Sequence, residues 1–207
     1  MMLDFVQLIK KYNITPRGVV QLGVHWFQEK EVFQSLGIND FVLVEPQKAA
    51  FKIMKDKAKD VNAICFNCAV SEFEGKAIMK CDETNQGQSS SLLEAKEHLI
   101  KYPSIKFTRT EEVDVKKIVN LQFDRENYNI LVMDLQGGEL KALLGSSDLL
   151  DYIDCIYTEV NFIEMYKDCV LIETLDAFLN DFYSFTRVET GENYQNQGWS
   201  DAFYIRI

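Results

Sequence analysis

The sequence predicts an α/β fold built on a doubly wound, mostly parallel seven-stranded sheet that ends in an antiparallel C-terminal hairpin. Apolar strand patterns alternate with helical patterns along most of the chain, which is typical of parallel sheets. The run 129–133 is apolar after its first residue, as expected for a strand buried on both faces. Two strand patterns then close the chain. Because 207 residues with 47% apolar content suffice for a full core, we expect a single domain over residues 1–207.

The elements follow in chain order from hydrophobic periodicity and turn residues. A first helix is predicted over 3–12, because its apolar residues recur at helical spacing. Strand 18–22 turns at Gly23 into a helix that ends at Gly37, and strand 40–44 closes at Glu45. The remaining predictions are helix 47–59, strands 62–68 and 76–81, a polar loop 82–91, a helix ending at 101, strand 106–113, helix 114–121, strand 129–133, a helix from about 138, strand 154–160, helix 168–182, and strands 184–189 and 201–207.

Composition limits the classes of partner. A net charge of -10 and a pI near 4.8 argue against nucleic acid and against anionic membranes, since both would repel the chain. The lysines of segment 52–60 alternate with apolar residues at helical spacing and predict a solvated helix face. No apolar run reaches membrane-spanning length.

The five cysteines are odd in number and mostly lie in apolar surroundings, which predicts reduced thiols in a cytoplasmic protein. Cys65 and Cys68 have the spacing of a redox pair. In an extended strand, however, residues three apart face opposite sides, which argues against a thioredoxin-like role.

Three strand ends carry residues suited to binding and chemistry. Asp134 follows the strand 129–133 directly, and in open α/β sheets ligands bind beyond the carboxyl ends of strands. Asp134 could equally be a helix cap. Glu45 lies about twenty residues after the Gly23 turn, where an acid accepts hydrogen bonds from ribose hydroxyls. The glycines of a dinucleotide fingerprint and of a P-loop are missing, which disfavours hydride transfer and nucleotide triphosphate chemistry.

Several strings, in order and at family spacing, resemble the FkbM-type methyltransferases, a class I group that depends on S-adenosylmethionine. They cover about residues 17–207 and read VVQLGVHWFQE, FVLVEPQ, CAVSEFEGKA, SSSLL, YNILVMDLQGGELKALLG, IYTEVNFIEMY and WSDAFYIRI. The aspartate–glutamine–glycine run is the most specific of these marks. The resemblance implies a Rossmann-like fold and a cofactor site formed by Gln21, Gly23, Val24, His25, Glu45, Pro46, Cys68, Ala69, Ser71, Asp134 and Gln136.

One position departs from the family pattern. Where the first loop usually carries a second glycine, this chain has Phe27. Its Cβ and ring enter a turn that glycine normally lets approach the cofactor. Either the loop is rearranged with the ring packed under the helix, or the cofactor site is weakened. A weakened site would suit a non-catalytic binding module.

Methyl transfer to a hydroxyl requires a base or a metal, because an alcohol holds its proton tightly at neutral pH. His25, in the first loop, is one candidate base, although His98 shows that a surface histidine is also ordinary. The acidic strand ends Asp134 and Glu159 are the stronger candidates. With Asn161, on the same strand face as Glu159, they offer oxygen ligands for Mg²⁺ or Mn²⁺. Alternatively, Glu159 is a strand-end acid that binds backbone amides.

The expected acceptor comes from the resemblance: a hydroxyl of a sugar or glycan, with a natural-product hydroxyl as the alternative. Ser90 and Ser91 lie in the polar loop that the family places over the active site. Tyr166 and Trp199 are further candidate substrate contacts, although core packing is the commoner role of such aromatic residues. A chain of this kind could also be a domain of a larger polypeptide with other glycan-modifying domains as partners.

Overall fold

A computed structural model describes residues 1–146, 148–192 and 197–207 of the protein. Ten strands and six α-helices form the fold in the described residues. The strands are β1 Val19–Leu22, β2 Asp40–Val44, β3 Asn62–Phe66, β4 Ala69–Val70, β5 Gly75–Cys81, β6 Arg109–Lys116, β7 Ile130–Met133, β8 Cys155–Asn161, β9 Phe185–Thr190 and β10 Trp199–Arg206. The helices are α1 Phe5–Lys11, α2 Lys30–Ser35, α3 Lys48–Lys57, α4 Glu97–Lys101, α5 Glu139–Leu144 and α6 Ile172–Tyr183.

Seven strands form the main sheet in the order β3-β2-β1-β7-β8-β10-β9. The pairs from β3 to β8 are parallel, whereas β10 pairs antiparallel with both β8 and β9. The doubly wound sheet and the antiparallel C-terminal strands confirm the predicted fold class. Strands β1 and β7 are buried along their whole length, because helices cover both faces of the sheet.

Two apolar clusters pack on opposite faces of the main sheet, because neighbouring residues of a strand point to opposite sides. In β1, Val20 and Leu22 belong to one cluster and Val19 to the other. Helices α5 and α6 cover the first cluster, and helices α1, α2 and α3 cover the second. The sheet is therefore fixed from both sides, and its carboxyl edge is left open for a site.

A second sheet of three strands, in the order β4-β6-β5, corrects two of the predicted elements. The prediction of a strand over 62–68 was wrong beyond Phe66. The Asn67 side chain donates to the carbonyls of Glu45 and Pro46 at 2.8 and 3.0 Å, and the chain then enters the second sheet. Helix 114–121 was also wrong, since β6 continues to 116 with alternate residues buried, and only a 3₁₀ turn follows at 118–120.

No helix in the described part of the chain is long and apolar enough to cross a membrane. All five cysteines have free thiols. Cys65 packs in the cluster with α3, whereas Cys68 is buried in the cluster on the other face. The two thiols thus lie on different sides of the main sheet.

Candidate active site

A cavity of about 510 Å³ opens at the carboxyl edge of the main sheet, where β1, β2, β7 and β8 end. This volume lies within the usual range of small-molecule sites. Its described lining carries one lysine, Lys141, against five carboxyl groups. Those carboxyl groups belong to Glu29, Glu45, Asp134, Glu159 and Asp201. The cavity is therefore acidic.

The loop after β1 brings the ends of three strands together. Gly23 has φ +77°, and a Cβ built on it would lie 1.9 Å from the carbonyl oxygen of Asp134. The backbone N–H groups of Gly23 and Val24 both donate to the carbonyl of Val44, at 2.9 and 3.2 Å. A side chain at position 23 would force β1 and β7 apart, so glycine is required here.

Phe27 lies in the hydrophobic core, outside the cavity lining. It has φ +56°, and its buried ring packs against Phe33 of α2 and Phe41 of β2, with ring centroids 6.5 and 5.2 Å apart. Helix α2 begins only at Lys30, so residues 25–29 form turns that direct the ring inward. The ring is therefore packed under the helix, as one of the two possibilities for this departure predicts.

Glu45 is held at the cavity wall by backbone groups. Its Oε2 accepts from the His25 N–H at 2.7 Å, and its Oε1 accepts from the Gln47 N–H at 2.8 Å. The residue is only 2% exposed, and this burial raises the pKa of the carboxyl to about 7, although the two N–H donors oppose the shift. A buried acid oriented in this way can accept hydrogen bonds from a ligand's hydroxyl groups.

The imidazole of His25 connects two loops. Its Nε2 lies 2.9 Å from the carbonyl of Gln86, and its Nδ1 lies 3.1 Å from the Gln28 amide nitrogen. These partners assign a neutral ring that donates through Nε2 and accepts through Nδ1. Burial lowers its pKa, which favours the same neutral form. His25 could act as a base only if the Nδ1 hydrogen bond breaks.

Asp82 organises the polar loop 82–91, which covers the cavity. Its buried carboxylate accepts from the backbone N–H groups of Asn85, Gly87 and Ser89, at 2.7, 3.2 and 2.8 Å. The Gln47 amide donates to the Gly87 carbonyl at 2.9 Å and thereby ties the loop to the Glu45 side of the cavity. The loop is therefore a fixed roof over the site.

Asp134, Gln136, Glu159 and Tyr166 form one hydrogen-bond network. The Gln136 Nε2 donates to Asp134 Oδ1 at 2.6 Å and to Glu159 Oε2 at 2.9 Å. The Tyr166 hydroxyl lies 2.6 Å from Gln136 Oε1 and 3.0 Å from the Ser89 carbonyl, and its single proton serves these two acceptors. The structure thus brings together two of the predicted catalytic acids and one predicted substrate residue.

The acids of this network have raised pKa values. Desolvation raises the pKa of Asp134 to about 6, against the opposing effect of the Gln136 hydrogen bond. Desolvation, followed by the charge of Asp134, raises the pKa of Glu159 well above its usual range. The carboxylate of Asp134 is open to the cavity although protein surrounds it, whereas Glu159 is only 6% exposed. Asp134 is therefore the acid that a ligand can reach.

The predicted metal site does not fit the residues present. The amide nitrogen of Gln136 donates to both carboxyl groups, where a cation would have to bind. Asn161, the third predicted ligand, shares a strand face with Glu159 but does not line the cavity. The described residues contain no group of three or more His, Cys, Asp or Glu side chains arranged for a metal.

Aromatic residues form the wall on the far side of the network. Trp199 lines the cavity and donates through Nε1 to the Tyr102 hydroxyl at 2.9 Å. His98 is 5% exposed and packs among Tyr102, Phe107 and Tyr166, which corrects its assignment as a surface histidine. Helix α4 brings its ring inward, because the N–H of His98 donates to the Met165 carbonyl at 3.2 Å.

The remaining predicted site residues also lie at the cavity. Ser90 Oγ donates to the Gln47 Oε1 at 3.3 Å, and Ser91 Oγ donates to the Gln136 carbonyl at 2.8 Å. Gln21 is buried, and its Oε1 has no hydrogen-bond partner among the described residues. Four other predicted cofactor residues line the same cavity: Pro46, Cys68, Ala69 and Ser71.

Three residues of the site framework were missed from the sequence. Asp82 precedes Asn85 and Gly87, a spacing typical of side-chain-stabilised turns, so its role was open to prediction. Glu139 begins α5, where an acid faces the N-terminal amides; its buried carboxylate accepts from Leu135 and Gly137, and desolvation raises its pKa to about 7. Gln47 carried no sequence signal.

Comparisons with known proteins agree with this architecture. The chain superposes on magnesium protoporphyrin IX methyltransferase of Synechocystis PCC 6803 with a TM-score of 0.55 at 9% identity, over 98% of this chain and 76% of that one. The plantazolicin methyltransferase BpumL gives 0.54 at 11%, over 98% and 80%. An N1-methyltransferase of Burkholderia thailandensis that acts on 1,6-didemethyltoxoflavin gives 0.51 at 8%, over 98% and 76%.

At these identities the resemblance concerns the fold. A sequence comparison with curated proteins finds no match. The profile of the methyltransferase FkbM domain, however, matches residues 14–187, most of the chain and every strand from β1 to β8. The chain therefore belongs to the FkbM methyltransferase domain family.

Proposed function

We propose that the protein is an S-adenosylmethionine-dependent O-methyltransferase that acts on a hydroxyl group of a sugar or glycan. The observation that carries the proposal is that Glu45 and Asp134 line one cavity from the ends of β2 and β7, on either side of the β1 loop. In this proposal Glu45 binds the ribose, and Asp134 acts on the acceptor hydroxyl.

The residues present suit this cofactor. S-adenosylmethionine carries a sulfonium and an ammonium group, and five carboxyl groups line the cavity against one lysine. All three of the similar structures described above contain this cofactor or its product, S-adenosylhomocysteine. The partnerless Gln21 Oε1 offers a buried acceptor near the first loop. We place the cofactor along the first loop, Glu45 with Pro46, and the segment 68–71, with Asp134 and Gln136 at its methionine end.

The chemistry needs a proton acceptor beside the acceptor hydroxyl. The bound cofactor supplies a methyl group on a sulfonium, whose sulfur keeps the bonding electron pair when the hydroxyl oxygen takes the methyl. Asp134 receives the hydroxyl proton. A carboxyl group with a pKa of about 6 is mostly ionised at neutral pH and still basic enough to assist the transfer. The fixed roof loop keeps water from the cavity once ligands fill it.

The acceptor class follows from family resemblance, and the cavity supports it. Trp199 and Tyr102 line the cavity with aromatic rings, and Asp201 and Ser89 of the roof loop add hydrogen-bonding groups to the same lining. Such a wall suits a ring that carries several hydroxyl groups. The free thiols support a cytoplasmic location, which we also propose, with other glycan-modifying domains as possible partners.

The test is methyl transfer from S-adenosylmethionine to a panel of free sugars, nucleotide-linked sugars, oligosaccharides and hydroxyl-bearing natural products, read by mass spectrometry. We expect an O-methylated sugar with the wild-type protein and at least about a hundredfold less of it in the same time with Asp134→Asn. Methylation of natural products alone would replace the sugar by the alternative acceptor class. If a protein that binds S-adenosylhomocysteine methylates nothing on the panel, the acceptor proposal is wrong.

A further inference from the structure

The side-chain amide of Gln136 is oriented by two carboxyl groups on one side and a phenol on the other. Its amide group faces Asp134 and Glu159 on one side and the Tyr166 hydroxyl on the other. With the amide reversed, its carbonyl oxygen would face two carboxyl groups, and the Tyr166 hydroxyl would lose Gln136 Oε1 as an acceptor and keep only the Ser89 carbonyl. The donor side therefore lies between the acids.

The backbone of Gln136 has an unfavourable conformation. Gln136 has φ +52°, in the left-handed region that residues with a Cβ rarely adopt. The backbone carbonyl of Gln136 accepts from Ser91 Oγ at 2.8 Å, so hydrogen bonds fix both the backbone and the side chain of this residue. Unusual backbone at the centre of a site commonly serves the site. Here it turns the side chain back over the end of β7.

The space between the two acids is where a divalent cation would bind. Carboxylate oxygens that converge on one point are the ligands Mg²⁺ and Mn²⁺ prefer. In this chain the amide nitrogen of Gln136 lies there, 2.6 Å from Asp134 Oδ1 and 2.9 Å from Glu159 Oε2. Each of its two N–H groups donates to one of these oxygens. The amide thus gives the two carboxyl groups hydrogen bonds in the place where a cation would coordinate them.

We propose that the Gln136 amide is a built-in substitute for a metal ion: it bridges Asp134 and Glu159 and orients Asp134 toward the acceptor, so the site functions without a divalent cation. Gln136 is then a positioning residue, and Tyr166 keeps its amide in the working orientation. The catalytic consequence rests on the proposed function, whereas the exclusion of a cation by the amide does not.

The direct test titrates Mn²⁺ into the wild-type protein and two variants, with binding followed by calorimetry and by the electron paramagnetic resonance signal of free Mn²⁺. Gln136→Glu replaces the donor by a third carboxylate, so we expect it to bind Mn²⁺ at least about tenfold more tightly than wild type. Gln136→Met, which has the same length without polar atoms, is the matched control for lost bridging. Adding Asp134→Asn to Gln136→Glu should remove the gain.

Tyr166→Phe keeps the test decisive if Gln136→Glu fails to fold. Without the phenol, the Gln136 amide can rotate and present its oxygen to a cation, so this variant should also gain Mn²⁺ affinity over wild type. Tight Mn²⁺ binding by the wild-type protein would overturn the proposal. So would a folded Gln136→Glu protein that binds Mn²⁺ no better than wild type or, if that variant does not fold, a folded Tyr166→Phe protein that binds no better.

Activity supplies a separate measurement. In the methyl-transfer assay, EDTA should leave the wild-type rate unchanged, and Gln136→Met should lower kcat while its affinity for S-adenosylhomocysteine stays near wild type. Gln122→Met is the matched control, because Gln122 is exposed and lies outside both the cavity lining and the network. If EDTA abolished the wild-type rate and Mn²⁺ restored it, the proposal that the Gln136 amide replaces a metal ion would be wrong, although methyl transfer itself would be confirmed.

Discussion

The two sides of the cavity are held by different kinds of contact. On the side of β2, Glu45 is fixed by backbone N–H groups of His25 and Gln47. On the side of β7 and β8, Asp134 and Glu159 are fixed by the side chain of Gln136, which Tyr166 holds in turn. Backbone contacts survive most single substitutions, whereas a side-chain network can lose its geometry through one.

This difference separates binding from chemistry. We assign cofactor binding to the side with a backbone framework and proton transfer to the side with a side-chain network. Substitutions on the first side should therefore change affinity, and substitutions on the second should change rate. The four predictions that follow test this division, in order of expected effect.

Asp134→Asn should lower the rate of methyl transfer by about 10²–10⁴, because it removes the proton acceptor and keeps the shape of the side chain. Affinity for S-adenosylhomocysteine and the circular dichroism spectrum should stay near wild type. Initial rates at saturating cofactor measure the effect. Wild-type turnover by this variant would remove Asp134 from the chemistry and the division with it.

Phe27→Ala should lower the free energy of unfolding by about 3–5 kcal/mol, because it empties a fully buried ring position between Phe33 and Phe41. Urea denaturation measures this loss. Because the ring does not line the cavity, the folded fraction should bind S-adenosylhomocysteine with nearly wild-type affinity. A large loss of affinity with little loss of stability would mean that Phe27 acts on the cofactor loop.

Glu45→Gln should weaken binding of S-adenosylhomocysteine by about tenfold or more, since hydrogen bonds to a charged acceptor contribute about 1.5–3 kcal/mol. At saturating cofactor the rate should be close to wild type, opposite to the result for Asp134→Asn. Titration calorimetry and initial rates provide the two measurements. Equal affinities of the wild-type and Glu45→Gln proteins for S-adenosylhomocysteine would contradict the assignment of Glu45 to the ribose.

Stability should fall as the pH rises from 6.5 to about 8, because Glu45 and Glu139 have pKa values of about 7 in the folded protein, above the usual 4.5. A carboxyl group with a raised pKa binds protons more tightly when folded, so its contribution is lost as it ionises. His25 and His98 have lowered pKa values and act in the opposite direction until their unfolded rings are deprotonated, at about pH 7.5, so they weaken this trend without reversing it.

A drop in Tm of about 2–6 °C over this range is the expected size, since one kcal/mol corresponds to about 2–4 °C for a chain of this length. Differential scanning fluorimetry without ligands measures it. Glu45→Gln should make the decrease of Tm with pH smaller. A Tm that rises over the same range would show that these acids are not buried as described.

Sequence patterns predict those parts of the molecule in which local chemistry determines structure. The run of β7, the Gly23 turn and the acid after β2 all depend on near neighbours, and each was predicted. The burial of Phe27 depends on Phe33 and Phe41, which lie on other elements, so both possibilities stayed open. The sequence could not show where that ring goes.

Contacts between distant residues explain what was missed. The Gln136 amide contacts Glu159, 23 positions away, Tyr166 contacts Gln136, 30 positions away, and Trp199 contacts Tyr102 across 97 positions. Asp134 and Glu159 suggested metal ligands because their residue types suit a cation, and only the folded chain shows an amide between them. Helix 114–121 failed for a similar reason, since β6 is stabilised by strands far away in the sequence.

Every role assigned above depends on S-adenosylmethionine binding in this cavity, and titration calorimetry with S-adenosylhomocysteine measures that binding. We expect wild-type binding near micromolar strength, about -8 kcal/mol, with clearly weaker binding by Glu45→Gln. Absence of binding by the folded wild-type protein would contradict the account and identify the chain as a methyltransferase-like module without a cofactor.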